Sequence, residues 1–386
     1  MTWSLNSFPS IDYAIVKTNF MDFFQNLLQL DWVSMLQAAL RTATPIVLAA
    51  LGGILCERSG IINVGLEGVM LVAAYVGYAI GVLTGSVALG LMAAVLAGGL
   101  ISALHALLSI KYKTNQVISG TVINIFAAGL TGYFYRAFDT NVDLPTLAEI
   151  RIPVLADIPV LGPILFQQRP FTYAMIILAV LLQIALFRTV WGLRTRAVGE
   201  YPRAADTVGI KVNRLRYLNV ILGGMLAGLG GVYLTLGSVG RFTPNITGGR
   251  GFIGLAAMIF GGWNPIGALG ASLLFTIPDA IAVKLQIINI AIPSQIVSLL
   301  PYVLTIVVLA GFGRRNNAPA ANCPSPISLS SNESDIQFPQ RPVPGCACRQ
   351  GGRSVCRLIS YNPMVPLHLK KHCSPGRLPM AMATPK

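Results

Sequence analysis

The sequence predicts an all-α integral membrane protein of about eight spanning helices plus one half-helix (251–263), followed by a disordered C-terminal tail. Three observations carry this reading. Of the 386 residues, 54% are hydrophobic and only 11% are charged, and the mean hydropathy is +0.66. An average soluble domain carries about 25% charged residues, so a soluble enzyme, a disordered chain and a fibrous repeat are excluded. The apolar residues gather into runs near the roughly 20 residues that cross a bilayer. The charges fall between those runs, as Lys and Arg do in cytoplasmic loops.

Taken in order, residues 1–31 form an N-terminal extracytoplasmic segment. They mix Lys17 with Asp12, Asp22 and Asp31 and lack a basic start followed by an apolar run, so no signal peptide is expected. Spanning runs follow at 32–55, 66–84, 86–110, 117–136, 171–188, 217–238, 266–283 and 294–313, so a transmembrane domain occupies 32–315. The shorter run 252–262, at about 1.5 Å per residue, reaches only part-way across the hydrocarbon. It reads as a half-helix packed inside the protein, shielded from lipid. Gly77, Gly81 and Gly85 stand four apart, as do Gly224 and Gly228, a spacing that lets helices approach closely in lipid.

The loops set the orientation. Between the fifth and sixth spans stand Arg188, Arg194, Arg196, Arg203, Lys211, Arg214 and Arg216 against Glu200 and Asp206, which marks that loop as cytoplasmic. The loop 137–170 holds Asp139, Asp143, Glu149 and Asp157 against Arg151 and Arg169, and faces outward. The half-helix must then return to the cytoplasm for Arg314 and Arg315 to end inside.

Residues 316–386 are a low-complexity basic tail, rich in Pro, Ser and Cys and without apolar periodicity, expected to be disordered. From 314 onward the chain contributes +8 of the net charge of +14, and residues 1–313 contribute +6. Neither part shows a basic stripe interleaved with aromatics, so no nucleic-acid partner is expected. Cys323, Cys346, Cys348, Cys356 and Cys373 all lie in the tail, leaving Cys56 alone in the core with no internal disulfide to form. Cys346 and Cys348 with His368, His372 and Cys373 fit no closed four-ligand spacing, so no metal site is expected.

Catalytic motifs are missing. The sequence has no GxxxxGK[ST] phosphate loop, no HExxH and no GxSxG, so no catalytic residue is assigned and the chain does not hydrolyse ATP by the phosphate-loop route. His105 lies in the third span without an evident partner and reads as a packed residue. Acidic residues are nearly absent from the spans, apart from Asp279 near a helix end. Ionisable groups are costly in spans and mark ion pathways, so their scarcity argues against a carrier driven by an ion gradient.

The richest stretch is C-E-R-S-G-I-I-N-V-G-L-E-G from Cys56 to Gly68, which joins the first two spans. Its Glu57, Arg58, Ser59, Gly60, Asn63, Gly65, Glu67 and Gly68 resemble the ERSG-x-x-N-x-G-x-EG signature of permease subunits in bacterial ABC importers. That family handles branched-chain amino acids, simple sugars and nucleosides, and this form is most similar to the nucleoside (guanosine-type) branch. Further blocks at 199–210, 243–252 and 260–267, with Pro293 and the L-P-Y of 300–302, extend the resemblance from about 33 to 315.

The resemblance implies a permease of the cytoplasmic (inner) membrane, moving nucleosides with energy from a separate ATPase. It implies pairing with a second permease subunit, docking on a cytoplasmic ABC ATPase, and delivery of substrate by an extracytoplasmic solute-binding protein. The chain itself then holds no cofactor, since ATP-Mg sits on the ATPase. A simple-sugar permease of the ribose or galactose type is the runner-up, and a stand-alone secondary carrier is the rival from another class.

Ala204, Ala205 and Gly209 resemble the AA-x3-G core by which many importer permeases contact their ATPase, with Arg203 where others have Glu. Together with Glu200 and Asp206 they make the first candidate coupling loop; the alternative reading is a merely basic, positive-inside loop. The turn of Gly261, Gly262, Trp263, Asn264 and Pro265, where the half-helix returns, is a second candidate. For the substrate path, Asn63, Asn115, Asn124 and Asn219, with Gln116 beside them, lie in or at the ends of spans. Their amides suit a nucleoside's donors and acceptors; bonding between helices is the other reading.

Overall fold

The computed structural model describes residues 32–138, 142–151 and 161–287, together with Pro319. Seven helices among these are long and apolar enough to cross a membrane. They are α1 (Trp32–Arg58), α2 (Leu66–Thr84), α3 (Val87–Ala106), α4 (Gln116–Ala137), α6 (Pro170–Arg188), α9 (Val212–Val232) and α11 (Pro265–Ile287). Between them lie the short α5 (Leu161–Phe166), α7 (Val190–Glu200), α8 (Pro202–Thr207) and α10 (Arg250–Phe260). Two-residue strands β1 (Ile150–Arg151) and β2 (Gln167–Gln168) pair antiparallel. The expected eighth span at 294–313, the segment 1–31 and the cysteine- and histidine-bearing tail lie outside the described residues.

The fold is built around α1. Every residue from Ala43 to Glu57 is buried, and a helix that is apolar all round belongs in the middle of a bundle. It is surrounded by α9, α10 and α11. Pro45 interrupts its hydrogen-bond ladder and frees the carbonyl of the residue four positions earlier. That residue is Arg41, and the Tyr233 hydroxyl donates to its carbonyl at 3.1 Å. A gap in the ladder is thus closed by a side chain from α9's extension, as burial away from water requires.

α2, α3 and α9 pack through small residues. A Cβ placed on Gly77 would come 2.9 Å from the Ala94 Cβ, and one on Gly98 would come 2.9 Å from the Gly228 Cα. The spacing of four is therefore a contact between backbones for Gly77, Gly224 and Gly228. Gly85 differs: it sits at φ +64 as the C-terminal cap of α2, with nothing within 4 Å of a Cβ. It ends a helix, and no helix packs on it. The other face of α3, with Leu89, Met92, Leu96 and Leu100, is exposed, as suits a lipid-facing stripe.

Two long helices end in wider turns. α3 continues as a π-turn over Leu107–Lys111 and α9 as one over Tyr233–Val239. The two charged loops fall at opposite ends of the bundle. At the start of α1, Arg41 pairs with Glu149 at 2.6 Å and Gln37 donates to the Gln167 carbonyl. At its finish, Arg58 meets the α7–α9 segment and the turn after α10. The half-helix spans Arg250–Phe260, a little short of the expected 251–263. The remaining residues form a tight turn that includes Gly262 at φ +67 and Trp263 at φ 53.

Candidate functional site

The residues Cys56 to Gly68 do not form a surface loop. They climb into the bundle, and many of their backbone groups are answered by a named partner. Ser59 and Ile61 donate to the Cys56 carbonyl, and Gly60, at φ +84, donates to that of Glu57. The Ile62 N–H donates to Gln116 Oε1 at 2.6 Å, and His105 Nε2 donates to the Ile62 carbonyl at 3.1 Å. Asn124 donates to the Val64 carbonyl at 3.1 Å and accepts from the Gly68 N–H at 2.8 Å. Asn63 accepts from the Gly65 N–H at 3.1 Å and turns its amide toward the Cys56 sulfur at 3.8 Å. Non-helical backbone at membrane depth has to be satisfied in this way.

His105, read from the sequence as a residue without an evident partner, has two. The Ile62 carbonyl accepts from Nε2, and Nδ1 lies 3.2 Å from the Ser119 hydroxyl. The ring thus bridges the loop to α4 and holds it in place. The partners lie 43 and 14 positions away in the chain, too far for any local pattern to show them.

The two carboxylates of the motif grip the two ends of α10. Glu67 Oε1 accepts from the Gly249 N–H at 2.9 Å and Oε2 from the Gly251 N–H at 2.7 Å. A carboxylate is favoured there by the helix dipole and by the unpaired N–H groups of the first turn. Gly251 has no room for a side chain, since a Cβ would come 2.7 Å from the Glu67 Cα. At the other end, Glu57 Oε2 accepts from Trp263 Nε1 at 2.6 Å. Arg58 donates through Nε to the Trp263 carbonyl at 3.0 Å and through Nη2 to the Gly262 carbonyl at 3.3 Å.

The candidate coupling residues separate into two kinds of surface. On α8, Arg203, Ala204 and Asp206 are exposed, while Ala205 is the buried anchor. Gly209 is exposed at φ +82 and closes the turn, with Ile210 donating to the Ala205 carbonyl at 3.1 Å. Tyr201 and Val208 flank this surface at 71% and 75% exposure. The turn 261–265 points inward: Trp263 is 5% exposed, Pro265 is buried, and Asn264 caps α11 by accepting from the Ile266 N–H. Glu200 is exposed at the end of α7.

The four asparagines are not brought together. Asn63 and Asn124 serve the loop, and Asn115 caps α4 by accepting from the Val117 and Ile118 N–H groups. Asn219 donates to the Thr195 hydroxyl at 3.2 Å while its Oδ1 has no hydrogen-bond partner. Among the described residues no group of three or more His, Cys, Asp or Glu is placed to hold a metal ion.

Sequence reasoning missed one further group. The Phe187 ring meets two guanidinium groups, that of Arg58 at 5.7 Å and that of Arg196 at 5.0 Å from its centroid. Arg216 Nε donates to the Ser59 carbonyl at 3.1 Å. The basic residues counted as an orientation signal thus also tie α7 and α9 to the motif.

The family described as "Branched-chain amino acid transport system / permease component" matches this chain over residues 35–309. The chain belongs to that permease family. It is accordingly a multi-pass membrane protein, consistent with the seven apolar helices among its described residues. The guanosine ABC transporter permease protein NupQ of Bacillus subtilis is 40% identical over 299 residues, 74% of this chain and 93% of that one. The nucleoside ABC transporter permease protein NupC of Lactococcus lactis is 40% identical over 293 residues, 72% of this chain and 92% of that one. A putative glucose ABC transporter permease protein of Haloferax volcanii, TsgC13, is 32% identical over 320 residues, 77% of this chain and 97% of that one. The family match covers the motif, the basic segment and the half-helix, and leaves out the segment 1–31 and the tail 316–386.

Proposed function

We propose that this chain is the permease subunit of an ABC importer that moves nucleosides across the cytoplasmic membrane. The observation that carries the cargo is the 40% identity to two nucleoside permeases over more than nine-tenths of their length, against 32% to a glucose permease. The energy comes from a separate cytoplasmic ATPase that binds ATP-Mg, because the sequence has no phosphate loop of its own. A second permease subunit completes the channel, and an extracytoplasmic solute-binding protein supplies the nucleoside.

The ATPase docks on the α8 surface around Ala204 and Gly209. What supports this over the 261–265 turn is exposure: α8 offers open small residues between Tyr201 and Val208, whereas Trp263 is buried against Glu57. Residues 1–31 lie outside the cytoplasm, and the tail 316–386 has no part in transport.

The test is reconstitution into vesicles with the ATPase, the second permease and the binding protein. ATP-dependent uptake of labelled guanosine, undiminished by excess ribose or galactose, is the expected result. Uptake by this chain alone under an imposed ion gradient would make it a secondary carrier. Competition by the sugars would move it to the sugar branch. Deleting residues 318–386 leaves insertion and uptake intact; loss of uptake at equal expression would give the tail a role.

A further inference from the structure

We propose that Glu57 and Arg58 are positioning residues that tie the half-helix α10 to the α7–α8 surface, so that movement of that surface is handed to α10. The inference rests on the importer reading above and adds to it the part that joins ATPase docking to the channel.

The contacts form one continuous chain of named groups. From α8 the backbone runs straight into α7, whose Gly199 packs so closely on the Arg58 carbonyl that a Cβ there would collide with it. Arg196 of α7 shares the Phe187 ring with Arg58. From the start of α9, Arg216 reaches the Ser59 carbonyl. Arg58 then holds the carbonyls of Gly262 and Trp263, and Glu57 holds the Trp263 indole. On the far side, Glu67 of the same motif, in the first turn of α2, holds the first turn of α10.

Trp263 sits in a costly backbone conformation. A bulky residue at φ 53 is an outlier, and such a conformation persists only where its surroundings over-determine it. Here the surroundings are three hydrogen bonds from two adjacent residues, together with the turn's own backbone bonds from the Gly262 and Trp263 N–H groups to the Ile259 and Met258 carbonyls. The group that also touches α7 therefore shares in holding the turn between α10 and α11 in a costly shape. Breaking the contact at α7 lets that turn relax, and α10 with it. Coupling energies between these groups measure how much of the movement passes along this route.

The experiment uses the complete reconstituted transporter and reads three quantities: ATPase retained by the complex, ATP hydrolysed, and guanosine taken up. Trp263→Phe removes the indole N–H and keeps the ring, and Glu57→Ala removes the acceptor. Each should keep the ATPase bound while guanosine moved per ATP falls at least about tenfold, the effect of leaving one buried hydrogen-bonding group unpaired. Glu57→Gln keeps an oxygen that accepts from the indole and should recover most of the ratio. The double variant Glu57→Ala with Trp263→Phe should be no worse than either single one, because both remove the same contact.

Variants that lose uptake and hydrolysis in equal measure, in step with the amount of folded permease, would show a structural contact only and overturn the proposal. So would variants with the ratio of the unaltered protein, or a double variant whose losses add. If the unaltered complex itself moves no guanosine on ATP, the importer reading fails and the clamp's role falls with it.

Discussion

Replacing Gly209 with isoleucine tests the docking surface most directly. Gly209 follows α8 at φ +82, where its N–H donates to the Asp206 carbonyl at 2.9 Å and the next N–H reaches back to Ala205 at 3.1 Å. An L-residue in this left-handed region costs about 1–2 kcal/mol, and a β-branched one is a clear outlier there. Nothing lies within 4 Å of an added Cβ, so within the permease the cost is backbone strain alone. Since α8 has only six residues, that strain falls on its closing turn and should reduce the closed form by a factor of about 5–30. Asparagine tolerates positive φ, so Gly209→Asn adds bulk with little strain. The assay is capture of the ATPase by detergent-solubilised permease, followed by substrate-stimulated hydrolysis. Gly209→Ile should lose capture by about that factor, and Gly209→Asn should lose it only to the extent that the partner seats closely on this residue. Normal capture and stimulation by Gly209→Ile would refute α8 as the docking site. If Trp263→Ala then abolished capture, the 261–265 turn would be the contact.

Other perturbations test the fold that holds this surface. Gly98→Leu drives a side chain into the Gly228 backbone, where even a Cβ stands 2.9 Å from the Cα; overpacking of this kind costs about 1–3 kcal/mol, read as a lower melting temperature in detergent. Tyr233→Phe leaves the Arg41 carbonyl beside Pro45 without its donor, a loss of about 1–3 kcal/mol on the same measurement. Adding Pro45→Ala to that variant should reduce the loss, because a backbone N–H at position 45 can then donate to the Arg41 carbonyl. Glu67→Gln turns one of two acceptors into a donor facing the Gly249 and Gly251 N–H groups, and should raise hydrogen exchange in the first turn of α10 relative to α9.

Much of this arrangement was legible in the chain. A span must supply roughly 20 apolar residues in a row, so α1, α2, α3, α4, α6, α9 and α11 stand out as local runs, and their ends fall within six residues of expectation, α9 differing most. The half-helix showed itself by being short. α7 and α8 did not, because an 11-residue helix with two arginines and a six-residue turn make no apolar run. The π-turns at Leu107–Lys111 and Tyr233–Val239 leave no periodic signal either. The motif was conspicuous by composition, yet its geometry was hidden. Glu67 and Gly251 are 184 positions apart, and Arg58 and Trp263 are 205 apart. No spacing rule joins such pairs. The asparagines read as polar groups facing the interior do lie there or at helix ends, but only the fold assigns Asn124 to the loop and Asn115 to a cap.

The side-chain lining of residues 59–65 also bears on how the protein is made. Its donors and acceptors come from His105, Gln116, Asn124 and Arg216, all of which leave the ribosome later than the loop does. When the first two helices emerge, the carbonyls of Ser59, Ile62 and Val64 have no partner but water. If the loop were buried before those partners arrive, these groups would be left unsatisfied at several kcal/mol each. The loop is therefore expected to stay hydrated at the cytoplasmic end of the first hairpin until α4 and then α9 pack on it. In nascent chains carrying Ile62→Cys, arrest before residue 105 should accordingly leave the new thiol open to a water-soluble reagent, and arrest well beyond residue 251 should protect it.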